Sequence, residues 1–593
     1  MSRRRCVVLG VVAALLCLGL SSCVSLPRSG SVETVRIGDR GEIDVPVDYT
    51  PPAPKKGSSP TDLVSDFLDA MTATPLNTFV ARQYLTSGSS TSWVPERGTV
   101  VYGSQRIVSQ PNGHVVLHLS DVAALDGRGT WLGDPTHGAG MTIPLQLKRE
   151  DGQWRIDEPV NRMLIPATHF DEQYQQYFLY FFDKAAQVLV PEPVYVPRGP
   201  QAATLLVAGL LKGPERSLLG TEQSFVPRGT VLDGISVPVS RDGTAEIPLS
   251  DQVLDVGDDQ LNLLFAQLSW TLGQIAGVER MQVTVGGTPI DLPGSRLEAG
   301  VREWTQFDPA VAWASTALFG LRDQRVVTVE GSQEHRVTGA FGVLPLGFRS
   351  IGIDLPAQHI AGVTADGRRV LEADREQSSG AVTMANVHTV YDGGTDLLRP
   401  EYDLYGQLWL IDRSSATAEV SVVRAGTRRV VSAPGITGRD VVRYVISRDG
   451  TRVVAQLRQT GGDRLVIARV VRDASGRVKG LTPARTISLP GVDGAAIRDV
   501  GWRTPGSLAV LVGPAAGTSQ VLIVKVDGSS TAEQLSADAE VFRDQAVHLT
   551  SSPAAGATLY IGTRERQLFS LASTGRWTGT SIRSGLTGTT YVG

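Results

Sequence analysis

The sequence predicts a multidomain protein, with two successive α+β domains and an all-β C-terminal propeller of about six blades behind an apolar leader and an extended stalk. Three observations lead there. An apolar run follows Arg3-Arg4-Arg5 and gives way to a Pro-, Gly- and Ser-rich stretch; helical and strand periodicities then alternate up to residue 297. Beyond residue 301, turn glycines followed by hydrophobic strands recur at spacings of 39, 44, 56 and 50 residues.

The leader, residues 1–22, decides where the rest of the chain resides. Three arginines precede an apolar run from Cys6 to Leu20, the charged and hydrophobic regions of a signal peptide. As a membrane span this run would reach only about 22 Å at ~1.5 Å per residue, short of the ~30 Å hydrocarbon core. An ordinary secretory cleavage before Cys23 would want small residues at the last and third-last positions, and Leu20 is not small. Leu20-Ser21-Ser22-Cys23 instead resembles the lipobox of bacterial lipoproteins. That resemblance implies that Cys23 becomes the first residue, carrying an S-diacylglycerol and an N-acyl chain such as palmitate, on the extracytoplasmic side of the cell membrane. At about 0.8 kcal/mol per buried methylene, more than one chain makes a stable anchor.

Composition is consistent with this. All three cysteines, Cys6, Cys17 and Cys23, lie in the leader or at its end, so the mature chain has neither a disulfide nor a free thiol once Cys23 is lipidated. Without the leader's arginines, 53 basic residues face 60 acidic ones, a charge near −7 that argues against a nucleic-acid partner. Residues 23–60, densest at Thr50-Pro51-Pro52-Ala53-Pro54, cannot bury a core and read as a stalk.

Residues 61–172 form the first domain. Ser59-Pro60-Thr61-Asp62 starts a helix carrying Leu63, Val64, Phe67, Leu68 and Met71, and Phe79, Val80 and Tyr84 fit a second, shorter one. Strand patterns follow at Thr99 to Tyr102, His114 to Leu119, Met141 to Lys148 and Trp154 to Ile156. Helices before an antiparallel sheet mean α+β, in an order that resembles the NTF2-like fold. His114 and His118 invite a metal reading, but on a strand they share a face about 13 Å apart, too far to chelate one ion.

Residues 175–297 form the second α+β domain. Phe178 to Phe182 and Val188 to Val196 read as a strand and its return, and Leu205, Leu206, Leu210 and Leu211 as a helix stopped at Gly213-Pro214. Val231 to Val239 and Thr244 to Leu249 read as a hairpin through Arg241-Asp242-Gly243. A long amphipathic helix then carries Leu261, Leu264, Phe265, Leu268, Leu272 and Ile275, ahead of a strand at Met281 to Val285. The acids Asp251, Asp255, Asp258 and Asp259 lack the order of a calcium loop, and capping of the long helix suits Asp258 and Asp259 better. Leu-Leu-Lys-Gly-Pro at 210–214, Val-Pro-Arg-Gly-Thr at 226–230 and Asp-Gly-Thr-Ala-Glu-Ile at 242–247, with the long helix, resemble the GerMN domain, which implies a non-catalytic envelope module.

Residues 301–593 form the propeller. Gly367, Gly406, Gly450, Gly506 and Gly556 each precede a hydrophobic strand, three of which pair visibly with a second at Arg464 to Val471, Gln520 to Val526 and Gln567 to Leu571. The rival is a pair of β-sandwiches, disfavoured because the turn signals recur so evenly.

Taken together, the lipobox, the stalk, Phe67-Leu68-Asp69-Ala70-Met71, Ala81-Arg82-Gln83-Tyr84-Leu85-Thr86, the GerMN-like module and Pro400-Glu401-Tyr402-Asp403 resemble the LpqB family of actinobacterial lipoproteins. The resemblance implies an accessory of the MtrAB two-component system that binds the extracytoplasmic domain of the sensor kinase MtrB and affects cell-wall homeostasis and division. The residues themselves predict a binding protein rather than an enzyme. The chain has no Gly-x-Ser-x-Gly, no His-Glu-x-x-His and no P-loop, and neither a cofactor nor a metal is expected. Two alternatives stand beside it. A propeller-type envelope hydrolase could bring carboxylates together from different blades, but Asp403, Asp412 and Asp449 read as turn or strand-end acids. A cell-wall glycan binder would need exposed aromatics, and Trp409 and Trp502 both lie in strand runs whose default is the core. Cys23 is the single predicted site.

Overall fold

Ser59 caps the first helix, Pro60–Ala70, by accepting from the Asp62 amide, and Pro60 occupies the first turn where its missing N–H costs nothing. The computed structural model describes residues 48–593 apart from 137, 293, 378–379, 415–416, 490–495, 514–516 and 530–540; the leader, Cys23 and most of the stalk lie outside these residues. That helix buries Leu63, Val64, Phe67 and Leu68 against two four-stranded sheets. One sheet runs Trp131–Gly133, Ala123–Asp126, Gly98–Tyr102 and Met163–Pro166, its last pair parallel. The other is antiparallel: Ser104–Ser109, His114–Ser120, Met141–Glu150 and Gln153–Ile156. His114 is exposed opposite Gln146, and His118 lies opposite Thr142, 3.1 Å from its hydroxyl.

The second domain starts with a long hairpin, Tyr174–Asp183 against Leu189–Pro197. Pro191 and Pro193 are tolerated because their strand is at the sheet edge. The far side of Tyr174–Asp183 pairs only at Asp183 and Phe182, with Glu222–Gln223. The helix Asp258–Leu272 and the turn after it complete that side. Gln274 bonds both the N–H and the C=O of Phe178 at 2.7 Å, and Gln267 donates to the Tyr180 carbonyl at 2.8 Å while accepting from the Phe225 amide. Two helix-side glutamines thus do the work of a neighbouring strand.

This helix is also the crossover between the parallel strands Thr244–Leu249 and Arg280–Val285. The expected hairpin from 231 to 249 is corrected here. Residues 231–239 make only isolated bridges, Leu232 to Leu249 and Val239 to Ala245, because Pro238 and Pro248 have no N–H to give a ladder and Ile235 turns fully outward. Asp258 and Asp259 are corrected too: Gly257 is the N-cap without any side-chain bond, and both acids sit in the first turn, where they act on the helix dipole alone.

The last domain is a six-bladed ring. Blade 1 contains Leu318–Arg322, Arg325–Glu330 and Gln333–Arg336; blades 2, 3, 4, 5 and 6 lie within 348–392, 401–430, 441–487, 496–525 and 546–579. The innermost strand of blade 1 is Thr587–Thr590, which pairs with Leu318–Arg322 from the other end of the domain. It touches the first strands of blades 2 and 6, so the inner strands form a closed circle. Trp409 is completely buried in blade 3 and Trp502 is 5 % exposed in blade 5, both in the core.

Candidate functional site

The strand Leu189–Pro197 is where the three domains meet. Its Tyr195 amide donates to Gly129 of the first domain at 2.8 Å, and its ring packs on Trp131 and Phe170. Gly129 has φ +89°, and a Cβ there would lie 2.3 Å from the Tyr195 carbonyl, so a side chain would force the two backbones apart. The Tyr195 hydroxyl bonds Ser529 in the propeller and accepts from Lys525 at 3.2 Å, with the Lys525 ammonium 5.2 Å from the ring centre. One tyrosine therefore joins all three domains. Tyr195→Phe keeps the packing but removes the hydroxyl that bonds Ser529 and accepts from Lys525. We expect thermal unfolding to show a loss of about 1–2 kcal/mol, and an unchanged midpoint would refute the role.

Beside it lies a buried ion cluster. Arg469 of blade 4 holds Glu192 of this strand at 2.5 Å and also binds Glu222, both carboxylates almost without exposure. Arg452, 1 % exposed, reaches Asp449 at 3.3 Å and donates to the carbonyls of Pro505 and Pro191. Arg452 Nε has no hydrogen-bond partner, and Glu192 Oε1 and Glu222 Oε2 have none beyond the bond the two carboxyls share once one of them is protonated. Burial raises the pKa of Glu222, and the charge of Glu192 next to it raises it further. Burial acts the same way on Glu192, but the Arg469 and Arg452 charges outweigh it and hold that carboxyl below its ordinary value. Between the lowered pKa of Glu192 and the raised one of Glu222, the cluster holds one carboxylate and one carboxylic acid on one guanidinium. A cavity of about 640 Å³ opens beside it, lined by Trp131, Glu192, Arg452, Arg469, Arg485 and Asp527.

Other bonds extend the seam. Tyr405 of blade 3 donates to Asp183, which organises its own turn by accepting from the Ala185, Gln187 and Val188 amides. Gln176 donates to Asp527 at 3.0 Å. Gly506, which the spacing marks as a turn glycine, has another reason to lack a side chain: a Cβ there would sit 2.5 Å from the Phe178 ring. Gly506→Ala is accordingly expected to lower the unfolding midpoint by an amount equivalent to roughly 1–3 kcal/mol, the cost of overpacking; Gly556→Ala, where the space is open but φ is +74°, tests backbone strain separately.

The three candidate acids do not converge. Asp403 accepts from the Tyr405 and Gln407 amides, Trp409 Nε1 at 2.8 Å and Arg472 at 2.7 Å. Asp449 holds Ser447 and Thr451, and Asp412 accepts from the Thr395 and Asp396 amides. Asp403 and Asp449 each fix a turn of their own blade, and Asp412 fixes the segment that leads from blade 2 into blade 3. Among the described residues, no group of three or more His, Cys, Asp or Glu side chains is placed to hold a metal ion, and no helix is long and apolar enough to cross a membrane. Cys23 lies outside the described residues. Sequence reading missed Glu192, Glu222, Arg469 and Tyr195. The available signal was a glutamate between two prolines in an otherwise apolar strand, Pro191-Glu192-Pro193.

Comparison with known sequences matches three family descriptions. Residues 53–171 match the N-terminal domain of lipoprotein LpqB, residues 178–291 a sporulation and spore germination domain, and residues 324–581 the LpqB β-propeller domain. Lipoprotein LpqB of Thermobifida fusca is 26% identical over 629 residues, covering 96% of each chain. The Streptomyces avermitilis protein is 27% identical, covering 89% of this chain and 90% of its own, and that of Mycolicibacterium smegmatis 28%, covering 85% of each. Among solved structures, the first GerMN domain of GerM from Bacillus subtilis aligns with 20% of this chain and 90% of its own at 20% identity and TM-score 0.18. TolB from Acinetobacter baumannii aligns with 54% of this chain and 84% of its own at 14% identity and TM-score 0.33.

Proposed function

Because this chain belongs to the LpqB family of lipoproteins, we propose that it is a lipid-anchored envelope protein that modulates a two-component sensor kinase of the MtrB type by binding the kinase's extracytoplasmic domain. Cys23 carries the lipid, and the chain acts by binding, without catalysis. The observation that carries this reading is the one-sided seam. Tyr405, Gly506, Asp527 and Ser529 come from turns, and Arg452 and Arg469 from strands that reach the same face of the propeller, so these contacts leave the opposite face to a partner.

A stiff support matters for an accessory of this kind. It can shift a kinase only by binding one signalling state more tightly than the other, and a face that reorients freely costs more ordering entropy on binding, which weakens its hold on either state. Confinement of both proteins to one membrane raises their effective concentration, so a weak contact is enough. The test uses the full-length chain and the full-length kinase in the same liposomes, scored by co-capture and by kinase autophosphorylation. We expect co-capture and a change in autophosphorylation that Cys23→Ala abolishes by releasing the chain from the membrane. No co-capture and no change with the native chain would overturn the reading.

A further inference from the structure

Trp313 lies on the segment that leads into blade 1 and is 57 % exposed, although most tryptophan side chains in this protein pack inward. It forms one wall of a cavity of about 450 Å³ between blades 2 and 3, whose other walls include Asp354, His359, Glu372 and Tyr402. We propose that this cavity binds a saccharide, with Trp313 as the stacking platform and Glu372 and His359 as the groups that bond its hydroxyls.

The hydrogen-bond inventory supports that chemistry. Asp354 is engaged within its own turn: it accepts from the Gln358 and His359 amides at 2.6 and 2.9 Å and from His359 Nδ1 at 2.8 Å. That bond fixes the ring so that Nε2 carries the outward valence, 3.6 Å from Asp374 and too far for a direct hydrogen bond. Burial alone would lower the His359 pKa, but the bond and charge of Asp354, with Glu372 and Asp374 beyond, raise it, which favours Nε2–H as a donor. Glu372 accepts the buried Tyr402 hydroxyl on Oε1 and makes no ion pair among the described residues, which leaves its other oxygen as an acceptor. Asp403, also on the wall, is committed to Arg472.

A donor, an acceptor and an aromatic face around a cavity of this volume match the alternating hydroxyls and the apolar C–H face of a sugar ring. Among the described residues the wall contains no Lys or Arg, so an anion such as phosphate or a free carboxylate lacks a strong counter-charge there. The cavity makes no use of the proposed kinase contact, so the two readings stand or fall separately.

The test is calorimetric titration of the full-length chain in detergent with N,N′-diacetylchitobiose, cellobiose and maltose, repeated with Trp313→Ala and Glu372→Gln. Trp313 is exposed, and the amide oxygen introduced by Glu372→Gln still accepts from Tyr402, so both variants should unfold at the native midpoint. We expect at least one disaccharide to bind, and its affinity to fall tenfold or more in both variants. No heat with any of the three sugars, or native affinity in either variant, overturns the proposal.

Discussion

A chain ending at Leu586 is expected to lose the closed propeller. The seven residues removed include the innermost strand of blade 1, which takes its partners from both ends of the domain, with Thr590 opposite Phe319 and Thr587 opposite Leu321. Thr589 accepts from His548 Nε2 or Thr550 of blade 6, the Gly593 amide donates to Ile353 of blade 2, and the Tyr591 hydroxyl donates to the Thr558 carbonyl. Tyr591 and Val592 are 7 % and 3 % exposed, and at about 1.5–3 kcal/mol per buried apolar side chain their loss alone removes roughly 3–6 kcal/mol.

Several backbone bonds and the protection of two sheet edges go with them. The total is comparable to the whole stability of an ordinary domain, about 5–15 kcal/mol. The measurement is chemical unfolding followed by tryptophan fluorescence, with far-ultraviolet circular dichroism. We expect a broadened, early transition and rapid proteolysis within 318–579. A native-like cooperative transition would show that the ring does not depend on this closure.

The closing strand also marks the limit of what periodicity can reveal. The glycine spacing locates the second strands of blades 3 to 6, because each is a run of apolar residues after a turn: Leu408–Ser414, Arg452–Leu457, Ser507–Gly513 and Tyr560–Thr563. The inner strands carry a weaker signal, since they are short, as at Glu401–Tyr402, or interrupted by polar residues, as by His548 and Thr550 in Ala546–Thr550. Blade 1 is completed from 265 residues away, at Thr587 beyond Arg322, and no local pattern can announce that pairing.

The same division applies to the second domain. Its long helix is visible in Leu261, Leu264, Phe265, Leu268 and Leu272, whereas Gln267, Thr271 and Gln274 look like interruptions of that stripe until the unpaired side of Tyr174–Asp183 is set against them. The seam was hidden for a related reason. Burial of Arg469 is decided by Glu192 and Glu222, which lie 277 and 247 residues away in sequence, and charge alone marks all three as surface residues.

Arg469→Leu is the second large effect, and its sign with pH identifies the cause. Removing the guanidinium leaves two buried carboxyl groups without their common partner, for an expected cost of about 3–5 kcal/mol. The packing of leucine recovers part of the lost contact, but not the charge. If the cost comes from the orphaned carboxylates, adding Glu192→Gln and Glu222→Gln to Arg469→Leu should restore much of it, and a cycle of these variants measures the coupling directly. Additive losses would mean that the cluster contributes by packing alone.

In the native chain the two acids pull in opposite directions. The raised pKa of Glu222 means that the folded seam holds that proton more tightly than the unfolded chain. Its contribution is complete below the ordinary value of 4.5 and is lost as pH rises through the raised one. The lowered pKa of Glu192 gives a contribution present above 4.5 and lost as pH falls through its folded value. Glu222→Gln removes the first trend, and its amide can still donate to Glu192 as the carboxylic acid does. Relative to that variant, the native chain should therefore lose stability as pH rises above 4.5, and the difference should level off once Glu222 has ionised. Parallel pH profiles for the two chains would show that Glu222 already carries its charge in the folded seam, with Arg469 neutralising both carboxylates at once.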